Sequence, residues 1–290
     1  MEHVLTLDTF EGPVHPDWCP GCGDFGVLKA LKEAAVELQI HPHELMVVSG
    51  IGCSSNLPGF INAYGAHTLH GRAVPVATGA RLANTDLHVV ITGGDGDGYG
   101  LGLGHFVHAM RRNLNLTYIV MDNQIYGLTT GQTSPTSTLD HKTKTTPRGN
   151  PELPINPLAL AIVSGATYVA RGFSGNPKQL TSLIAGAIAH RGFALVDVFS
   201  PCVTWNKVNT YAWFRERLYD LDAEKHDPQD FSAAMAKAIE WGDRIPSGLI
   251  FQAERPIYED SEPVLGPGPL VKQKLGIEQP IFDQLLAELM

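Results

Sequence analysis

Two loops carry the residue types best suited to chemistry. Gly94-Asp95-Gly96-Asp97-Gly98 sets two carboxylates among glycines that let backbone come close. Asp122-Asn123-Gln124-Ile125-Tyr126-Gly127 follows, its Asn123 lying 28 residues after Asp95, and offers an amide oxygen and a free carbonyl. Oxygen ligands of this kind suit Mg²⁺ or Ca²⁺ and not Zn²⁺. A Walker-type phosphate loop follows its glycines with a lysine and a hydroxyl, whereas this one supplies carboxylates. It therefore holds phosphate only through a bridging cation.

The four cysteines are the second set. Cys19-Pro20-Gly21-Cys22 places two thiols in a forced turn where both can face one metal centre. By itself the pair reads equally as a redox dithiol or half of a zinc site. Cys53 stands in the glycine-rich Gly50-Ile51-Gly52-Cys53-Ser54-Ser55-Asn56, whose hydroxyls and N–H groups suit a diphosphate oxygen, and Cys202 stands in Ser200-Pro201-Cys202. Among the 12 histidines, His70 beside Gly71 is the one singled out as a site residue.

These residues need elements to position them. Apolar runs at 46–51, 88–92, 117–121, 167–171, 193–199 and 248–253 read as buried strands, with a further strand expected at 73–78. Helical spacing recurs after Asp24, placed as a cap, through Phe25, Leu28, Leu31, Ala35 and Leu38. It recurs again through Leu101, His105, Val107, Ala109 and Met110, with Arg111 and Arg112 in the last turn. Helices are also expected at 157–164, at 177–190 after Asn176, around 211–218 and at 231–241. Strand, loop, helix, strand is a right-handed βαβ unit, and loops after parallel strands gather at the carboxyl edge where ligands bind. The fold class is α/β, a mainly parallel sheet with helices on both faces. Cys53 and Cys202 then follow different strands, so the four thiols converge on that edge. We divide the chain into a loose arm at 1–16, an α/β domain at 17–254 and a tail at 255–290. The tail is too rich in proline, glycine and acid to bury much core and is expected to wrap a partner. The polar stretch 126–154 is long enough to be a lid, and its Lys142, Lys144 and Arg148 are candidates to meet an anionic substrate.

The chain has 290 residues, 43% hydrophobic and 18% charged, enough for one large domain with a sizeable core. A net charge of −9 with no basic block excludes a nucleic-acid partner. No apolar run approaches the roughly 20 residues that span a bilayer, and no basic region precedes an apolar core at the N-terminus. No membrane association is expected and a cytoplasmic location is.

In one order the sequence contains Cys19-Pro20-Gly21-Cys22, Gly52-Cys53-Ser54-Ser55, Gly94-Asp95-Gly96-Asp97, Asp122-Asn123, Tyr126-Gly127-Leu128-Thr129 and Ser200-Pro201-Cys202. Together they resemble the β subunits of 2-oxoacid:ferredoxin oxidoreductases, most closely the 2-oxoglutarate type, over about residues 15–260. The resemblance implies thiamine diphosphate (TPP) lined by Ile51, Gly52, Cys53, Ser54, His70, Gly96, Asp97, Gly127 and Leu128. It implies Mg²⁺ on Asp95, Asn123 and the carbonyl of Ile125, and one 4Fe-4S cluster on Cys19, Cys22, Cys53 and Cys202. It further implies coenzyme A as co-substrate, ferredoxin as electron acceptor and a partner α subunit, in an α2β2 heterotetramer, which supplies the glutamate that activates TPP. Asn56 and Thr130 stand where several relatives carry a basic residue near the substrate, and are candidate substrate residues. Alternatives are pyruvate or another 2-oxoacid as substrate, a non-oxidative TPP decarboxylase, and a non-enzymatic four-cysteine zinc module.

Overall fold

Leu116–Asp122 and Phe193–Phe199 are buried at every residue, as central strands covered on both faces must be. The computed structural model describes residues 4–274 and 276–290. Among them the strands are β1 (Leu45–Ser49), β2 (Tyr64–His67), β3 (His88–Gly94), β4 (Leu116–Asp122), β5 (Tyr168–Phe173), β6 (Phe193–Phe199), β7 (Leu218–Asp220) and β8 (Ile245–Gln252). They form one sheet in the order β2-β1-β3-β4-β6-β5-β8-β7. Every neighbouring pair is parallel except β5 with β8.

Alternate residues of these strands feed two cores. Val47, Val90, Ile119, Met121, Ala194, Val196 and Val198 pack under helices α1 (Asp24–Glu37) and α5 (Pro177–Ala189). On the other face Val48, Val89, Ile91, Tyr118, Val120 and Leu195 meet α2 (Ala73–Ala83), α3 (Leu103–Arg112), α4 (Pro157–Ser164) and α7 (Phe231–Ile239). Phe173, Phe199 and Phe214 form a smaller cluster around α6 (Tyr211–Arg217). The α/β architecture is the one expected. β3, α3 and β4 make the βαβ unit, with Val90 opposite Thr117 and Gly94 opposite Met121. Among the described residues no helix is long and apolar enough to cross a membrane.

Several local expectations fail for identifiable reasons. The run 73–78 is the start of α2, not a strand. Its Ala73, Val74 and Ala77 face the sheet at helical spacing, and Pro75 stands in the first turn, where a missing N–H breaks no helical bond. β2 escaped the sequence reading because it is a short edge strand with exposed residues. Asp24 is not a cap: Gly23 holds that position, and the Asp24 side chain is buried, accepting from Ser200 Oγ at 2.6 Å. The N-terminal segment is not loose, since Phe10 is fully buried and Asn62 N donates to Phe10 O at 3.1 Å. The tail first covers its own domain. Ile257 and Leu265 are buried, and Glu259 accepts from Arg81 Nε at 2.9 Å and Asn115 N at 3.1 Å. After α8 (Tyr258–Ser261), α9 (Gln279–Glu288) ends the chain with no buried residue.

Candidate active site

The carboxyl ends of β2, β1, β3, β4 and β6 are consecutive in the sheet, and the loops leaving β2, β1, β3 and β4 build a cleft of about 500 Å³, part of it continuous with solvent. Its walls contain Ile51, Gly52, Cys53, Ser54, His70, Gly96, Asp97, Gly127 and Leu128 together with Asp95, Asn123 and Ile125. Residues spread over 78 positions of sequence thus meet because parallel strands put their following loops on one edge. Gly94, Tyr126 and Thr129 also line it. Sequence reasoning gave these three no role, although each stands within one of the quoted motifs.

Asp97 is the keystone of the cleft. Its Oδ1 accepts from Ile51 N at 2.9 Å, Gly71 N at 2.7 Å and His70 Nδ1 at 2.7 Å. Since Nδ1 is the donor, a neutral His70 keeps its Nε2 lone pair free. Gly50 is required by the close approach: a Cβ there would lie 2.1 Å from Asp97 Oδ2. At Gly96 a Cβ would sit 2.1 Å from the Tyr126 ring, whose hydroxyl donates to Gly96 O at 3.1 Å. Residues Gly96–Leu101 form a π-helical turn, a geometry that concentrates at functional sites.

Asp95 is 1% exposed, and both of its hydrogen bonds arrive at Oδ2, from Ser134 Oγ at 2.5 Å and Thr136 Oγ1 at 2.6 Å. Burial pushes its carboxyl above the ordinary range, and those two hydroxyls pull it back. Asp122, behind it, is raised further, by burial and then by the charges of Asp197 and Asp95. Asn123 Oδ1 accepts from Ile125 N at 3.0 Å, an Asx turn that shapes the loop, and Gln124 lies in the left-handed region at φ 58°.

The thiols form an adjoining group, all four free. Three segments are stitched together to make it: Trp18 Nε1 donates to Cys53 O at 2.7 Å, Gly23 N to Pro201 O at 3.2 Å and Cys22 N to Cys19 O at 2.9 Å. A Cβ placed on Gly127 would lie 3.5 Å from Cys202 Sγ and 3.8 Å from Cys53 Sγ, so both thiols flank a glycine of the cleft. Burial pushes the Cys53 thiol up to about 11, with Asp24, Cys202 and Cys19 adding to it. Cys22 is raised further by burial, then by Asp24, with smaller contributions from Cys202 and Cys53. Cys22 and Cys53 thus each feel other thiols of the group. Among the described residues, no group of three or more His, Cys, Asp or Glu side chains is placed to hold a single metal ion.

Two family models match the chain. One is the thiamine pyrophosphate enzyme C-terminal TPP-binding domain, over residues 50–198, and the other is the C-terminal part of the pyruvate ferredoxin oxidoreductase beta subunit, over 202–266. A 2-oxoacid:ferredoxin oxidoreductase subunit beta of Sulfolobus sp is 46% identical over 95% of this chain and 97% of its own. The chain belongs to the β subunits of the 2-oxoacid:ferredoxin oxidoreductases. The corresponding subunit of Saccharolobus solfataricus is 49% identical over 82% of each chain. The fold is also that of a solved structure, 2-oxoglutarate:ferredoxin oxidoreductase from Magnetococcus marinus with 2-oxoglutarate, coenzyme A and succinyl-CoA bound. Its TM-score is 0.91 at 43% identity, covering 98% of this chain and 97% of that one.

In this β subunit two expected substrate residues are not among those lining the cleft. Asn56 lines a separate surface groove with Val14 and Asp17, and Thr130 is exposed on a turn at φ 77°. Lys142, Lys144 and Arg148 are exposed as well, with Lys144 Nζ 5.8 Å from the centre of the Trp205 ring. Among the described residues the cleft wall carries no glutamate.

Proposed function

We propose that this β subunit serves a 2-oxoglutarate:ferredoxin oxidoreductase, decarboxylating the 2-oxoacid oxidatively to its acyl-CoA and passing the electrons to ferredoxin. One observation carries the reading: the residues suited to a metal-bound diphosphate line a single cleft, and Cys53 and Cys202 flank its Gly127. The donor chemistry fits both groups. A carboxylate, an amide oxygen and a carbonyl are hard ligands for Mg²⁺, and thiolates are the ligands of iron–sulfur clusters. TPP supplies the carbanion-stabilising chemistry of decarboxylation, and a 4Fe-4S cluster accepts electrons singly.

In this reading Asp95, Asn123 and the Ile125 carbonyl hold Mg²⁺. Ile51, Gly52, Cys53, Ser54, His70, Gly96, Asp97, Gly127 and Leu128 enclose TPP, Asp97 acting mainly by ordering Ile51, His70 and Gly71. Cys19, Cys22, Cys53 and Cys202 hold the cluster. The absence of a cleft glutamate among the described residues matches a partner α subunit that completes the site, and the substrate's anionic groups are met by that subunit or by the lid. A 2-oxoglutarate preference rests on relatives named 2-oxoglutarate oxidoreductase or synthase subunits, 40–44% identical, and on the solved neighbour's bound ligands.

The test is co-purification with the α partner, then coenzyme A-dependent reduction of a viologen dye with 2-oxoglutarate, pyruvate and branched-chain oxoacids. Reduction with 2-oxoglutarate is expected, with none by the β subunit alone. A preference for pyruvate would move the substrate within the family. Zinc without iron or sulfide would overturn the redox reading, and turnover by β alone would overturn the shared site.

A further inference from the structure

The lid stretch 126–154 is polar in sequence, yet Ser134, Thr136 and Ser137 are 5%, 3% and 1% exposed. Their hydroxyls reach both loops of the cleft that carry its oxygen donors. Ser134 Oγ and Thr136 Oγ1 meet Asp95 Oδ2 at 2.5 and 2.6 Å, Thr136 Oγ1 is also 2.8 Å from Asp122 Oδ1, and Ser137 Oγ donates to Gln124 O at 2.6 Å. Ser137 Oγ in turn accepts from Ser134 N at 2.8 Å, so the segment is rigidly folded on itself. Pro135 O accepts from Ile155 N at 2.9 Å, which pins the segment from behind.

We infer that Ser134-Pro135-Thr136-Ser137 is a latch whose Ser134 and Thr136 hydroxyls orient the Asp95 carboxylate and couple metal binding to closure of the lid. The inference rests on the TPP and Mg²⁺ reading above. Because both hydroxyls bind Oδ2, the carboxylate rotamer is fixed from behind and Oδ1 is the oxygen left for a cation. Thr136 ties the loop after β3 to Asp122 at the end of β4, so one side chain links Asp95 to the residue from which the Asn123–Ile125 turn departs. Coupling of this kind is reciprocal. If the latch strengthens metal binding by some factor, metal strengthens the latch by the same factor. Ser134 and Thr136 are therefore positioning residues, and the loop they belong to responds to cofactor loading.

The experiment uses the purified assembly of this chain with its α partner, stripped of metal by chelation. Mg²⁺ affinity with TPP present is measured calorimetrically, and hydrogen exchange is followed in peptides spanning 127–154 with and without Mg²⁺ and TPP. Thr136→Val is expected to weaken Mg²⁺ binding about tenfold, the usual scale for a partner of a metal ligand. It is also expected to abolish most of the exchange protection that Mg²⁺ and TPP confer on the wild-type lid. Thr136→Ser keeps the hydroxyl and should restore both. Thr145→Ala removes an exposed hydroxyl of the same loop and should change neither. Wild-type affinity in Thr136→Val, or lid protection that ignores Mg²⁺ in a wild type that binds it, overturns the latch. Failure of the wild type to bind Mg²⁺ and TPP overturns instead the functional reading on which it rests. If Thr136→Val does not assemble, Ser134→Ala is measured in the same way, and wild-type behaviour there overturns the latch too.

Discussion

Replacing Asp97 separates its structural duty from its charge. In Asp97→Ala the N–H groups of Ile51 and Gly71 and the His70 ring lose their shared acceptor inside a site where the carboxylate is 2% exposed. Hydrogen bonds to a charged acceptor contribute about 1.5–3 kcal/mol each, so three lost bonds cost about 5 kcal/mol. Against a typical domain stability of roughly 5–15 kcal/mol, that is a large share. Asp97→Asn keeps an oxygen at Oδ1, and its new N–H₂ group falls near Tyr118 Oη, which is buried without a partner, as is Asp97 Oδ2. Only the charge assistance is lost, about 1–2 kcal/mol in all. Equilibrium urea unfolding of the two variants, followed by circular dichroism, should separate them by about 3–4 kcal/mol at unchanged m value. Equal cost for Asn and Ala, or a cost below about 1 kcal/mol for Ala, would refute the claim that Asp97 orders the cleft through these three bonds.

Two further outcomes follow from buried polar groups far from the cleft. Glu259→Ala leaves Arg81, whose side chain is 11% exposed, without its carboxylate, although Arg81 Nη1 keeps Thr85 O and Leu87 O at 2.7 and 2.8 Å. A loss of about 3 kcal/mol is expected, at the low end for a broken buried pair. The melting temperature should fall roughly 6 °C, at roughly 2 °C per kcal/mol for a chain of this size. Amide hydrogen exchange across residues 257–265 should accelerate, and an unchanged melt would show that the segment is not clamped there. His190 Nε2 lies 2.8 Å from Thr167 Oγ1, which gives its own proton to Asn113 Oδ1 at 2.9 Å, so Nε2 must be the donor. Burial lowers the His190 pKa. A depressed folded pKa means the contribution is complete above the unfolded value and is lost as pH falls through that value toward the folded one. Unfolding free energy measured from pH 8 down to 5 should therefore drop below about pH 6.5, by up to about 1.4 kcal/mol per pH unit for this group. His190→Gln keeps an N–H donor and should remove that share of the slope; an unchanged slope would exclude His190 as its source.

The sheet and the cleft were legible because both rest on patterns that tertiary structure cannot override. A strand covered on both faces is apolar almost throughout, as Phe193–Phe199 is apart from Asp197, and loops after parallel strands meet whatever their sequence separation. That principle gathers Cys53, Asp95 and Asn123 in one wall. What was not legible depends on partners remote in sequence. Asp24 looked like a helix cap, but Ser200, 176 residues away, holds it buried at N1. Ala73–Thr78 has the β-branched composition of a strand, and only the pairing of β1 directly with β3 leaves it nowhere to go but onto the face of the sheet. Asn56 and Thr130 were chosen because several relatives carry a basic residue there, and neither is among the residues lining the cleft. The lid's Ser134 and Thr136 gave no signal at all, since a buried hydroxyl and an exposed one are written alike.

Asp95, Asp97, Asp122 and Asp197 are all 3% exposed or less beneath one cleft, an arrangement that apolar residues of similar volume would make more stable. Each is instead held by bonds that order a loop. Asp197 Oδ1, for example, accepts from Tyr99 Oη at 2.7 Å and so anchors the π-helical turn that contains Asp97. Arg171 lies 3.9 Å from Asp197 and stacks 5.1 Å from the Phe199 ring centre. Its Nε and Nη1 have no hydrogen-bond partner among the described residues, so it balances the acids through space and does not bind them. The oxygen donors are thus set in place by folding, as groups built on rigid elements are. The thiols bear the same cost of burial as Asp95 and Asp122. Burial favours the neutral form of Cys22 and Cys53, and no basic side chain is among the groups that shift them. The ionised form of either thiol therefore needs stabilisation from outside the thiol group, as does the carboxylate of Asp95, whose pKa burial also raises.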